Sequence, residues 1–130
     1  MLSGKLAHTT GVYTNVAGDY GGWDAFRPQE KQTLATALDA VGYRTGLFGK
    51  YLNGWGGRAV PPGWDAFRSF NKMNYFNYTL KGTGPAVKYG STPADYSTDV
   101  IADLAVDFVQ SDQPVFAYVT PFAPHQPATP

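Results

Sequence analysis

Apolar residues recur at helical spacing in two stretches of the chain, and each stretch runs into a short apolar block of strand length. In the first, Leu34, Leu38 and Val41 fall on one helical face, and Ala35 and Ala37 favour helix. Thr33 can cap the start and Gly42 can end it. Residues 43–48 then suit a strand, broken by Gly49-Lys50. In the second stretch Val100, Ile101, Leu104, Ala105 and Phe108 share a face. Ser97 is the candidate cap there, and Asp99 sits early in the helix, where the macrodipole favours an acid. A polar break, Ser111-Asp112-Gln113-Pro114, precedes residues 115–119, which read as a buried strand.

Helix–strand alternation of this kind predicts an α/β fold: part of a mainly parallel sheet flanked by helices. Between the two units residues 74–80 are aromatic and roughly alternating, Lys81-Gly82-Thr83-Gly84 signals a turn, and residues 86–89 can return. This predicts a β-hairpin inserted in the α/β frame. The hexapeptide Gly-Trp-Asp-Ala-Phe-Arg occurs twice, at residues 22–27 and 63–68. Its flanks differ, with Gln29-Glu30-Lys31 after one copy and Ser69-Phe70-Asn71 after the other, which argues against a repeat array.

Composition narrows the picture. A chain of 130 residues is enough for one domain. Ten basic residues balance ten acidic ones, so no overall field draws the chain to nucleic acid or an anionic membrane. The absence of cysteine excludes disulfide scaffolds, thiolate zinc sites and thiol nucleophiles. No apolar run approaches the roughly 20 residues of a membrane span. Met1-Leu2-Ser3-Gly4-Lys5 lacks the apolar stretch of a signal peptide, so as written nothing exports the chain.

Parallel sheets bind ligands beyond the carboxyl ends of their strands. Two segments are expected there: Gly49-Lys50-Tyr51-Leu52-Asn53, and residues 121–130 with His125. Prolines on both sides of His125 are expected to hold its backbone extended and so aim the imidazole for proton transfer or for bonding to an anionic oxygen. A loop histidine of no consequence is the competing reading. Gly46 and Gly49 allow close backbone approach to a ligand, and the Lys50 ammonium can neutralise a sulfate or phosphate, although taken by itself Lys50 is better read as a lysine capping an ordinary turn. The spacing of a Walker loop is absent. His8 reads as a histidine satisfied by turn backbone. Asp95, Asp99, Asp103 and Asp107, every fourth residue, read as the solvated face of the second helix. Asn77-Tyr78-Thr79 matches an N-glycosylation acceptor, a pattern short enough to occur by chance.

In order and spacing these pieces resemble the sulfatase family. Residues 2–13 resemble the segment that follows the family's Cys/Ser-x-Pro-x-Arg signature, and residues 33–46 resemble the helix and strand leading to its active-site lysine. Gly49-Lys50-Tyr51-Leu52-Asn53, Pro62-Gly63-Trp64-Asp65 and residues 75–80 are similar to N-acetylglucosamine-6-sulfatase-like members. Ala123-Pro124-His125-Gln126-Pro127 is similar to the family's Pro-His-x-Pro.

The resemblance implies an incomplete alkaline-phosphatase-like fold, with residues 1–130 forming part of a catalytic domain. It implies a sulfuric ester hydrolase acting on a sulfated sugar or glycosaminoglycan, with Lys50 and His125 contacting sulfate and Asn53 binding substrate. Calcium and a formylglycine nucleophile are implied for the complete enzyme. Their residues are expected before Met1 and after Pro130, so the chain alone is expected to be inactive and to expose an apolar sheet edge. Members are usually exported. The rival readings are a phosphonate or phosphate monoester hydrolase of the same superfamily, and a non-catalytic carbohydrate-binding module stacking sugars on the aromatic and Asn-rich stretch from Tyr75 to Tyr78 with Trp23, Trp55 and Trp64.

Overall fold

Residues 2–127 are described by the computed structural model; Met1 and the end of the His125 segment, Ala128, Thr129 and Pro130, lie outside them. Three short helices come first: α1 (Ala7–Thr10), α2 (Gly22–Phe26) and α3 (Leu34–Asp39). Strands β1 (Arg44–Gly49), β2 (Ala66–Phe70), β3 (Thr79–Gly82) and β4 (Val87–Lys88) follow, then helix α4 (Ser97–Val109) and strand β5 (Val115–Thr120). They form one five-stranded sheet in the order β4-β3-β2-β1-β5. β1 pairs in parallel with both β2 and β5, and the β3–β4 hairpin adds to β2 antiparallel.

Alternation along the strands sorts side chains to two faces. On one, Phe48 of β1 and Phe70 of β2 meet Ile101, Ala105 and Phe108 of α4. Arg44 spans this layer, with its guanidinium 4.2 Å from the Phe108 ring centre and donating to the Phe108 carbonyl at 2.7 Å. On the other face, Leu47 and Phe67 lie under Trp23, Tyr51 and Trp55.

The predicted α/β frame stands, with several local differences. Thr33 caps α3 as expected, in a reciprocal box with Thr36. The buried residue of that helix, however, is Ala35, while Leu34 and Val41 face solvent. Ser97 is not a cap; it is the first residue of α4 and fully buried, and Tyr96 occupies the cap position. Asp95 lies before α4, in a 3₁₀ turn (Pro93–Asp95). Hydrogen bonds from the Thr92 hydroxyl and from the backbone of Gly90 and Thr92 hold its carboxyl below the usual carboxylate range. Asp99, Asp103 and Asp107 are exposed on α4.

β5 is only half-buried, with Val119 exposed, because it ends the sheet and pairs on one side only. The hairpin starts later than its aromatic run: Asn77 adopts a left-handed φ of 53°, which breaks the extended chain before Thr79. Tyr75 and Tyr78 are therefore both buried, a spacing no regular strand allows on one face. Trp23 and Trp55 are buried too, and Trp64 stacks on Phe116 at 5.9 Å. Of the aromatic set expected to stack sugars in the binding-module reading, Tyr75, Tyr78, Trp23 and Trp55 instead build the core, Trp64 packs against it, and Phe76 stays partly exposed.

The repeated hexapeptide folds in two ways. Its first copy forms α2; its second forms a turn and then β2. In the second copy the Asp65 carboxylate accepts from the Thr45 N–H at 2.8 Å and Thr45 Oγ1 donates to the Gly63 carbonyl, which locks the segment beside β1.

Candidate functional site

β1 and β5 run side by side and end together, Gly49 opposite Thr120. The chain leaving β1 carries Lys50 and Asn53, and the chain leaving β5 carries His125, so all three belong to the carboxyl end of the sheet. Gly49 is required by the packing of the strands themselves. Its φ is +117°, and a Cβ there would lie 2.0 Å from the Thr120 carbonyl oxygen. Gly46, likewise, makes room for the Phe108 and Phe48 rings. Contrary to the expectation from sequence, neither glycine opens space for a ligand.

The Lys50 loop is held from several directions. The Lys50 N–H donates to the Thr120 carbonyl at 2.7 Å, and Thr120 Oγ1 donates to the Lys50 carbonyl at 2.7 Å. The next amide, of Tyr51, donates to Ser69 Oγ at 3.1 Å. The Asn53 carbonyl accepts from the Trp23 N–H at 2.7 Å. Asn53 Nδ2 is committed to Asn15, donating to its backbone and side-chain oxygens at 2.8 and 2.9 Å. Toward a ligand Asn53 thus offers its acceptor, Oδ1, which suits a sugar hydroxyl and not a sulfate oxygen.

Lys50 and Asn53 line one cleft of about 190 Å³, together with Ser69, Asn71 and Lys72 from the end of β2. His125 is not among its walls. A larger cleft, about 320 Å³, opens beyond Tyr51 and Leu52 against the N-terminal segment, and does not include Lys50. His125 is exposed, but its ring is braced: it stacks on Phe122 with centroids 4.9 Å apart. Its backbone is turned and not extended, since the His125 N–H donates to the Phe122 carbonyl at 3.0 Å. The Tyr75 hydroxyl donates to the His125 carbonyl at 2.8 Å. His125 Nδ1 lies 2.7 Å from the Gln126 carbonyl. A carbonyl only accepts, so Nδ1 carries a proton and Nε2 is the nitrogen left for chemistry. His8 stands exposed on α1 and does not line the Lys50 cleft.

Glu30 carries no signal in the sequence. Its carboxylate accepts from Trp23 Nε1 at 2.7 Å and from the Tyr51 hydroxyl at 3.1 Å, tying α2 to the Lys50 loop. Burial, and then the neighbouring Glu30 charge, push the Tyr51 phenol well above its ordinary range, so it remains a donor. Glu30→Ala strands both donors and is expected to cost about 1–3 kcal/mol. Glu30→Gln keeps an acceptor and should recover most of it. Urea unfolding of the two variants checks this; an unchanged Glu30→Ala midpoint would remove Glu30 from the role.

Among the described residues no group of three or more His, Cys, Asp or Glu could hold a metal ion. No helix among them is long and apolar enough to cross a membrane.

A family model described as Sulfatase matches residues 1–130. An extracellular sulfatase SULF-1 homolog of Drosophila melanogaster is 35% identical over 136 residues, covering 98% of this chain and 12% of that protein. N-acetylglucosamine-6-sulfatase of Homo sapiens is 34% identical over 142 residues, covering 99% of this chain and 26% of that protein. The solved structure of BT4656 in complex with its substrate D-glucosamine-2-N,6-O-disulfate matches with a TM-score of 0.75 at 24% identity. It covers 99% of this chain and 24% of that one, and supports the alkaline-phosphatase-like fold. The chain thus spans 12% to 26% of the length of these relatives.

Proposed function

Because the chain belongs to the sulfatase family, we propose that it supplies part of a site that hydrolyses the sulfate ester of a sulfated sugar. The observation that carries this reading is the register of β1 and β5, Gly49 beside Thr120, which delivers the two family-like segments to one end of the sheet.

In net terms water adds to sulfur and the bond from sulfur to the sugar oxygen breaks; the electron pair leaves with that oxygen, which gains a proton. Charge grows on the sulfate oxygens and on the departing alcohol. Lys50 offsets the first as a fixed ammonium. His125, through Nε2, meets the second as a proton donor when the ring is charged. Asn53 Oδ1 accepts from a sugar hydroxyl and sets the orientation of the ring. Calcium and a formylglycine belong to the complete enzyme that the family resemblance implies. Neither has a place assigned among residues 2–127, and no step above depends on them. Residues 1–130 by themselves are expected to bind the substrate class without turning it over.

Titration of residues 1–130 with glucosamine 6-sulfate, glucosamine 6-phosphate and glucosamine, followed by amide and imidazole NMR shifts, tests the reading. The 6-sulfate alone should move Lys50, Asn53 and His125. Lys50→Ala should weaken its binding about 10-fold or more, the loss of a charged hydrogen bond. An equal response to all three sugars would defeat the assignment, and a preference for the phosphate would move it to phosphoryl esters.

A further inference from the structure

The cleft that holds Lys50 has a second cation that the reaction above does not use. Lys72 lies just beyond β2, as Lys50 lies just beyond β1. The two strands are parallel neighbours with Gly49 beside Ser69, roughly 4.8 Å apart. Both lysines line the same cleft of about 190 Å³, and no carboxylate lines it with them. The described ion pair of the nearby loop, Arg58 with Asp24 at 3.9 Å, involves neither. Two ammonium groups in one cleft repel each other in the absence of an anion. A sulfate ester carries one negative charge, which matches Lys50 and leaves Lys72 to be matched.

We propose that Lys72 selects substrates bearing a second anionic group, a further sulfate or a carboxylate, beside the ester held at Lys50. This rests on the sulfate-ester reading and adds a specificity-determining residue to it. The cleft supports the division of labour. It is smaller than the roughly 300 Å³ at which ligand pockets begin, so it admits charged substituents at a sugar's rim and not a whole disaccharide. Its hydrogen-bonding groups come from both loops: Asn53 follows Lys50 in the chain, and Asn71 directly precedes Lys72. The backbone of Asn71 is fixed by its N–H donating to the Thr79 carbonyl at 3.0 Å, so the Lys72 segment is anchored to the hairpin.

Binding by residues 1–130 is measured for glucosamine 6-sulfate, for glucosamine 2-N,6-O-disulfate, and for glucosamine 6-sulfate linked to glucuronate. One or both dianionic ligands should bind about 10-fold tighter than the monosulfate; which of them does so identifies the second group as sulfate or carboxylate. Lys72→Met should abolish that preference and leave monosulfate affinity within about 2-fold. Lys72→Arg should retain the preference. Amide spectra of each variant establish that it is folded. If Lys72→Met weakens all three ligands alike, both lysines grip one sulfate and the proposal is wrong. Equal affinity of the parent chain for the three ligands also overturns it while leaving the sulfate-ester reading intact. Binding of none would sink both.

Discussion

Gly49→Ala is expected to cost about 3 kcal/mol or more and to take the Lys50 side of the site with it. Two effects add. Alanine at a φ of +117° is strained wherever it sits, and here its Cβ would also lie 2.0 Å from the Thr120 carbonyl oxygen and 2.5 Å from the carbonyl carbon. Both are backbone atoms of the paired strand, so no side-chain rotation relieves the overlap. The only response is to push β5 from β1, and that pulls apart the Lys50–Thr120 hydrogen bonds. Gly11 supplies the control. Its φ is +75°, and a Cβ there would meet nothing within 4 Å, so Gly11→Ala carries conformational strain alone, about 1–2 kcal/mol. Urea denaturation of both variants separates the effects. If Gly49→Ala proves no worse than Gly11→Ala, the tight approach of the strands at this point is wrong.

Why parts of this fold are legible in the sequence and others are not follows from which signals are local. The face of α4 is written in Ile101, Ala105 and Phe108, all buried, because one helix packs on one broad sheet and periodicity reports that. β1 is legible for the same reason. β2 is not: in Ala66-Phe67-Arg68-Ser69-Phe70 two apolar residues are followed by two polar ones, with no period-two alternation to mark a strand. The same hexapeptide is a helix some forty residues earlier, so its conformation is set by partners and not by its own propensity. Thr45 and Asp65 make the difference, and their link is visible only in three dimensions. The half-burial of β5 is equally hidden, since an edge strand and a central one share an apolar pattern.

The site divides along similar lines. Lys50, Asn53 and His125 are marked by short motifs beyond strand ends. Glu30 stands among Gln29 and Lys31 and looks like any solvated charge; its tie to Trp23 and Tyr51 depends on where α2 docks. Lys72 is hidden because β2 is hidden. Without that strand, nothing in the sequence puts residue 72 at the carboxyl end of the sheet.

Phe67→Ala is expected to produce the largest loss of stability away from backbone strain, about 3–5 kcal/mol. Phe67 has no exposed surface. Its ring meets Tyr51 edge-on at 5.3 Å, Trp55 at 5.2 Å and Trp64 at 6.3 Å. Tyr51 and Trp55 belong to the loop that carries Lys50 and Asn53, so the ring is the floor of that loop. Trp23 holds the same loop from outside, through its N–H on the Asn53 carbonyl. The two copies of the hexapeptide, one helical and one extended, therefore support a single loop, the first by its tryptophan and the second by its phenylalanine. A cavity at residue 67 should lower the unfolding midpoint and, in the fraction still folded, weaken glucosamine 6-sulfate binding without removing any group that touches it. Phe67→Leu refills much of the space and should recover most of both. Melting curves and ligand titrations run side by side read the two consequences. A variant that lost stability but kept full affinity would mean that the hydrogen bonds of Lys50, Tyr51 and Asn53 hold the loop without the aromatic floor.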